Sequence, residues 1–315
     1  SEDDAVEAYN IIKGLSFEDY EFHYGARIDP LSSVIRPTIE APEGKKFVDF
    51  YYSSIENRVA PWIGGELKHL DLFRNGLDEY KDFATQIYGV KYDDVTKEMR
   101  QISKSAILGS VFGAGARGLQ AYYAQFGVEI SLTEAEKLIR IYRNTHKGIV
   151  SAWYAFGREA MKAVKAKGRV FETNRCKLVC KNEFLRLKLP SGRVISWYAP
   201  RIEMVTAPWG AEIEAITIMK QARQGHNFVR QQLIGSSIFQ SVVQATARDI
   251  LVDAMMNLEK AGYELVMTTH DEVLAEVDED WNNTEEFERI MTTNPEWCKE
   301  IPLAVEGWVG KNYRK

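Results

Sequence analysis

A chain of 315 residues, 45% hydrophobic and 27% charged, is long enough to bury the core of one elaborate domain or two and has the make-up of an ordinary globular protein. The formal charge of −5 argues against a protein that is basic throughout; with no apolar run of bilayer length and an acidic start at Ser1-Glu2-Asp3-Asp4, no membrane association and a cytoplasmic location are expected. Cys176, Cys180 and Cys298 are too few and too scattered for a disulfide framework and lack zinc spacing, which predicts reduced structural thiols.

Residues 1 to about 20 are polar with a short helical pattern and are expected to form a loosely docked arm. Pro37 should stop the segment Leu31 to Arg36, and Pro42-Glu43-Gly44-Lys45 marks a turn before the β-rich run Lys46 to Tyr52. Ser53-Ser54 then opens a capped helix ending near Gly64-Gly65. Amphipathic patterns over 78–88, 96–112 and 118–126, and a capping box at Ser131 and Glu134, predict a mostly helical block from 66 to 166. Residues 169–205 alternate around the turn Pro190-Ser191-Gly192 and predict strands. A helix or helix pair is expected from Phe228 to Leu258, with Ile238, Val242, Ala245, Ile250, Ala254 and Leu258 close to one face. A hairpin follows, with strands 263–267 and 273–277, then a helix over 284–293 and a last strand over 303–308.

The turn of that hairpin holds His270-Asp271-Glu272, two adjacent carboxylates at the end of an apolar run. A hard cation such as Mg²⁺ suits one or two carboxylates plus substrate phosphates; an ordinary water-facing acidic turn is the plain alternative. In Arg100-x3-Lys104-x3-Leu108-x3-Phe112-Gly113, four-residue spacing lines the side chains along one helix side. A guanidinium and an ammonium one turn apart can clamp a triphosphate, and the apolar pair beyond them offers surface to a base. Gly109, Gly113 and Gly115 would permit close backbone approach. Ten Lys and Arg lie between Lys162 and Arg193 against two acids, whereas nine acids and no Lys or Arg lie between Asp271 and Glu288. Such segregation suits a metal-dependent enzyme acting on a polyanion.

Arg100-x3-Lys104-x7-Phe112-Gly113 resembles the fingers-helix motif of family A DNA polymerases. His270-Asp271-Glu272 is similar to the third palm motif of that family, and Ile55-Glu56-x-Arg58 to the end of its first. The likeness extends to Arg36-Pro37-Thr38-Ile39, to Gln240-x3-Gln244-Ala245-x-Ala247-Arg248-Asp249, and to Pro302 to Trp308 with Tyr313-Arg314-Lys315, an ending like that of phage-type members. The motifs keep the family's order over most of residues 23 to 315.

The resemblance implies an α+β fold: a polymerase palm, an antiparallel sheet with helices, carrying an inserted helical fingers subdomain. It divides the chain into an N-terminal arm (1–22), a first palm part (23–65), helical fingers (66–166) and a second palm part (167–315). It further implies two Mg²⁺ ions, primer-template DNA and dNTP as partners, and template-directed nucleotidyl transfer to a primer 3′-hydroxyl. Carried over by residue, Asp271 is a metal ligand with Glu272 beside it near the primer end, and His270 touches the primer-terminal backbone. Arg100 and Lys104 bind the triphosphate, Leu108 and Phe112 stack near the nascent pair, and Glu56, supported by Arg58, sits under the sugar. Gln240 and Gln244 face the minor groove.

Three departures accompany these matches. Tyr51 stands where the first motif carries its Asp; Asp49, two residues earlier and on the same strand face, is the candidate substitute if a two-residue bulge brings it in. His23-Tyr24-Gly25-Ala26 is followed at once by Arg27-Ile28-Asp29-Pro30, without the family's Thr-Gly-Arg primer grip. Neither thumb helices nor a proofreading exonuclease fits before residue 23. A polymerase fragment, or one subunit of a split enzyme whose partner polypeptide supplies thumb and grip, is therefore expected. The alternative is a catalytically inactive polymerase-fold module that binds DNA or protein.

Overall fold

The computed structural model describes residues 9–24, 35–207, 210–222, 225 and 227–314. In chain order their main elements are α1 Phe17–Tyr24, β1 Lys45–Tyr52, α2 Ile55–Gly64, α3 Leu67–Arg74, α4 Glu79–Tyr88, α5 Lys97–Ser110, α6 Ala116–Ala124, α7 Leu132–Thr145 and α8 Lys147–Lys165. Then come β2 Val170–Thr173, β3 Cys176–Lys181, β4 Phe184–Lys188, β5 Val194–Thr206, β6 Glu212–Gln221, β7 Phe228–Leu233, α9 Gly235–Lys260, β8 Glu264–Thr269, β9 Glu272–Asp278, α10 Thr284–Thr292 and β10 Val305–Gly310. The fold is α+β with antiparallel sheets. No helix among the described residues is long and apolar enough to cross a membrane. Residues 1–8 of the expected arm and the segment 25–34, which includes the position of the expected primer-grip departure, lie outside the described residues.

The chain divides into two compact units: Ser1–Ser53, Ile250–Asn294 and Leu303–Lys315 form the first, and Ser54–Asp249 with Pro295–Pro302 the second.

In the first unit a four-stranded sheet runs in the order β10-β1-β9-β8. The aromatic and β-branched content of Phe47-Val48-Asp49-Phe50-Tyr51-Tyr52 suits a pleated position buried on both sides. On one side Phe50 stacks on Phe287 of α10 with centroids 5.3 Å apart, and the Tyr52 hydroxyl donates to the Met291 carbonyl at 2.6 Å. On the other side Phe47 joins Ala41, Leu274 and Tyr313 in an apolar cluster, with Met267 and Trp308 packed against it. Residues near the C-terminus strap this side: Tyr313 N–H donates to the Ile39 carbonyl, and Lys311 Nζ reaches the carbonyl of Pro42.

The second unit joins a helical block to a six-stranded antiparallel meander, β2 through β7 in sequence order. The expected capping box is present: Ser131 accepts from the Glu134 N–H, and Glu134 accepts from the Ser131 N–H. On α8 the stripe Ile149, Ala152, Trp153, Phe156, Ala160 and Ala163 is buried at helical spacing. Cys176 and Cys180 point inward from β3, and burial pushes the Cys176 thiol up to about 12; with Cys298 all three are free thiols.

The structure differs from the sequence expectations in several places. Phe228–Leu233 is a strand rather than the start of a helix, because it pairs with β6 from Phe228↔Gln221 to Ile216↔Leu233; the helix begins only at Gly235. The strand β6 had no expectation at all. Ser54 precedes α2 with φ +53 and makes no side-chain cap, so that helix starts without the cap its sequence suggests. Of the expected α9 stripe, Ile238, Val242, Ile250, Ala254 and Leu258 are buried, and Ala245 is half-buried.

Candidate active site

The first unit presents the acidic hairpin. β8 and β9 pair up to Thr269↔Glu272, which leaves His270 and Asp271 as a two-residue turn; His270 takes φ +54 and is exposed, and Asp271 is half-buried. The Tyr52 N–H donates to the Asp271 carbonyl at 3.2 Å and fixes the turn against the end of β1. Tyr51 lies opposite Glu272 on β9 and opposite Glu306 on β10, so the three side chains share one sheet face. The Tyr51 hydroxyl donates to Glu306 Oε2 at 3.0 Å, and Ser53 Oγ donates to Glu306 Oε1 at 2.6 Å. Glu272 is buried, and its Oε1 accepts from the Tyr313 hydroxyl at 2.5 Å. Burial, then that hydrogen bond and the charge of Glu272, pushes Tyr313 up to about 12, so it remains a donor at neutral pH.

Asp49 shares the face of Tyr51, as alternation requires, but stands elsewhere along it. It is 1% exposed and lies opposite Leu274 and Trp308. The β1–β9 ladder runs unbroken from Lys45↔Asp278 to Tyr51↔Glu272, so the two-residue bulge that would shift Asp49 is absent. Leu274 is three residues beyond Asp271 on β9, which puts Asp49 roughly 10 Å along the strand from the turn at ~3.3 Å per residue. Paired ions of a shared site lie only about 3.5–4 Å apart. As folded, the ladder therefore does not bring Asp49 and Asp271 together.

The second unit presents the cationic helix. Thr96 caps α5 through the Met99 N–H. Arg100 and Lys104, one turn apart, both lie over the Tyr80 ring, at 5.2 and 5.8 Å from its centroid. Asp78 Oδ2 accepts from Arg100 Nε at 2.5 Å, while Asp78 Oδ1 caps α4 through the N–H groups of Tyr80 and Lys81. An ion pair this exposed contributes only about 0–1 kcal/mol. It orients the fork without using its terminal nitrogens.

The Tyr80 hydroxyl accepts from Asn57 Nδ2 at 3.0 Å, and the same amide donates to Glu79 Oε1 at 2.5 Å. Burial, then the charge of Glu79, pushes Tyr80 up to about 12. Asp78, Tyr80 and Asn57 were not singled out in the sequence. They belong to no spaced motif, and only the N-cap position of Asp78 was a usable signal.

The other expected positions vary in accessibility. Glu56 is half-buried; Arg58 is buried, donates to the Pro302 carbonyl at 2.6 Å and lies 4.4 Å from the Phe73 ring centroid. Leu108 and Phe112 are half-buried, the latter with its ring 6.4 Å from that of Phe239. Gln240 is half-buried and Gln244 exposed, one turn apart on α9. Two of the three glycines have packing reasons in place of a ligand: a Cβ on Gly109 would meet Leu119 at 2.5 Å, and one on Gly113, already at φ +83, would meet Ser236 at 2.6 Å. Gly115 has open space.

Part of the basic stretch becomes one outward sheet face. The registers Lys177↔Lys188, Lys181↔Phe184, Arg186↔Ser196 and Phe184↔Tyr198 put Lys177, Lys181, Arg186 and Lys188 beside Phe184 and Tyr198, whose rings are 5.3 Å apart. Lys162, Lys165, Arg175, Lys177 and Arg193 are paired with acids.

Comparison with known proteins matches residues 28–315 to DNA polymerase family A. The DNA polymerase of Bacillus phage SP02 is 31% identical over 315 residues, covering 99% of this chain and 48% of that protein. DNA polymerase I of Aquifex aeolicus is 26% identical over 298 residues, covering 89% of this chain and 41% of that protein. Among solved structures, the POL domain of Pol1 from M. smegmatis in complex with DNA primer-template and dNTP shares the fold, with TM-score 0.59 and 21% identity over 89% of this chain and 42% of that one. The chain thus spans about half the length, or less, of these relatives.

Proposed function

The chain belongs to DNA polymerase family A, and from that premise we propose that it is a DNA-directed DNA polymerase module, transferring dNTP to a primer 3′-hydroxyl. The observation that carries this is the cationic helix: Arg100 and Lys104 lie on one side, held over a common tyrosine, with an acid steering the guanidinium but leaving its terminal nitrogens. That arrangement suits a triphosphate. Residues 23–65 and 167–315 are read as palm and 66–166 as fingers.

In this mechanism Arg100 and Lys104 neutralise and orient the triphosphate, Leu108 and Phe112 flank its base, and Glu56, with Arg58 behind it, lies under the sugar. Gln240 and Gln244 follow the minor groove and His270 the primer-terminal backbone. The all-oxygen donors of the hairpin fit a hard cation. Asp271 would hold Mg²⁺, of which the full mechanism uses two, to activate the primer hydroxyl and steady the leaving pyrophosphate. Glu272 would stand near the primer end. Asp49 serves as second ligand only if β1 slips by two residues.

A second reading, a non-catalytic DNA- or protein-binding module, is favoured by Tyr51 at the first-motif position and by the burial of Asp49. Primer extension with Mg²⁺, alone and with candidate partner polypeptides, separates the two. Template-dependent incorporation supports the first reading, and its absence under every pairing supports the second.

Lys104→Ala is expected to weaken dNTP binding by roughly 10-fold, about what one charge-assisted contact contributes. Fluorescence titration with a labelled dNTP checks it, and equal affinities would remove Lys104 from the site. The outward sheet face is expected to track the DNA backbone. Changing Lys177, Lys181, Arg186 and Lys188 together to Gln should flatten the slope of log affinity against log salt by about 3. A slope equal to that of the unaltered chain would put the DNA elsewhere.

A further inference from the structure

A cluster outside the residues assigned above to nucleotidyl transfer lies in the second unit. Glu66 stands just before α3, His69 lies within it, and His146 sits at the junction of α7 and α8. One ligand atom from each of the three lies within 4.8 Å of the others. Glu66 Oε1 accepts the N–H groups of Gly148 and Ile149, while Oε2 lies 3.3 Å from His146 Nδ1. That 3.3 Å is close to the edge of a tetrahedral site built on bonds of about 2.0–2.1 Å. His69 Nε2 lies 3.3 Å from Glu79 Oε2, a buried carboxylate whose other oxygen is held by Asn57.

His146 is 2% exposed, and its Nε2 has no hydrogen-bond partner among the described residues. A buried polar atom left in that state is unfavourable. Tyr142 and Phe83 flank the ring, at 4.4 and 5.9 Å between centroids, and hold it in place. The cluster borders a cavity of about 590 Å³ lined by Glu66, His69, Leu72, Asp82 and Lys147. Two carboxylates and two imidazoles gathered in a partly buried setting offer the oxygen and nitrogen donors that a divalent cation takes.

We propose that Glu66, His69 and His146 bind one divalent transition-metal ion of the zinc class, with Glu79 orienting His69 through its hydrogen bond. Two imidazoles and one carboxylate favour such an ion over Mg²⁺, which prefers oxygen donors and keeps its waters. Three protein ligands leave a fourth position, and the cavity admits water to it. The ion ties the start of α3 to the α7–α8 junction, 80 residues away in sequence.

The test is calorimetric titration of the metal-stripped full chain with Zn²⁺ in excess Mg²⁺, paired with the visible absorption of its Co²⁺ form. One equivalent should bind, the Co²⁺ bands should be those of a low-coordinate site, and Zn²⁺ should raise the melting temperature. His69→Gln and Glu66→Gln should each weaken binding at least 10-fold, and Glu79→Gln about 10- to 100-fold, as partners of ligating histidines do. His69 is the primary variant because it is only partly buried, and circular dichroism verifies that each variant folds. Asp271→Asn should leave Zn²⁺ uptake intact, which separates this site from the palm hairpin. Lack of stoichiometric uptake, uptake unaffected by His69→Gln and Glu66→Gln, or uptake abolished by Asp271→Asn would overturn the proposal.

Discussion

Tyr51→Asp is expected to raise Mg²⁺-dependent primer extension on the order of 10²–10³-fold, the usual effect of one well-placed electrostatic contact in an active site. Tyr51 ends β1 opposite Glu272, and the neighbouring Tyr52 N–H is bonded to the Asp271 carbonyl. A carboxylate there would stand beside the turn that bears Asp271. A phenol, with a reference pKa of about 10, is a poor Mg²⁺ ligand at neutral pH. Tyr51 is only half-buried, so the change removes its hydrogen bond to Glu306 and opens little cavity. Tyr51→Asn is the control, with similar size and no charge. Equal rates for the Asp and Asn variants would show that this position is not the missing ligand site. A loss of activity in Asp49→Ala, with Tyr51 unaltered and the fold intact, would instead favour the slipped strand.

Asp271→Asn is the second large effect: extension should fall on the order of 10²–10³-fold, while DNA affinity and its salt dependence hold. Placed in the Tyr51→Asp background, it should cancel the gain almost completely. Two ligands of one ion act as a unit and do not contribute additively. Additive effects of the two substitutions would mean that the carboxylates serve different ions or none. If neither substitution changes incorporation, neither position holds a metal ligand of the reaction.

The hairpin bearing Asp271 was legible in the sequence to within two residues at each strand end, because an apolar run, a polar turn and a second apolar run admit few other folds. The Ser131 box was equally plain, since both of its partners are local. Phe228–Leu233 was misread because its strand character comes from pairing with β6, and a short apolar and polar mixture carries no period to show it. The sequence pattern suggests that Gly109 and Gly113 make room for a ligand, whereas Leu119 of α6 and Ser236 of α9 fill that room. The Glu66–His69–His146 cluster was missed for the same reason. Glu-x-x-His alone is too common to notice, and its third member is distant in sequence.

The position of β1 at the centre of its sheet has a consequence for synthesis. Tyr51 must wait for Glu272, about 220 residues later, and for Glu306, 255 residues later. At roughly 5–20 residues per second, that is on the order of 10–45 s during which the strand has neither partner. Through that interval Phe47-Val48-Asp49-Phe50-Tyr51-Tyr52 is a six-residue β-prone segment with a single charge, the kind that associates with other chains. Asp49 is that charge. A charge inside such a segment disfavours its association with other copies, whatever it does in the finished protein.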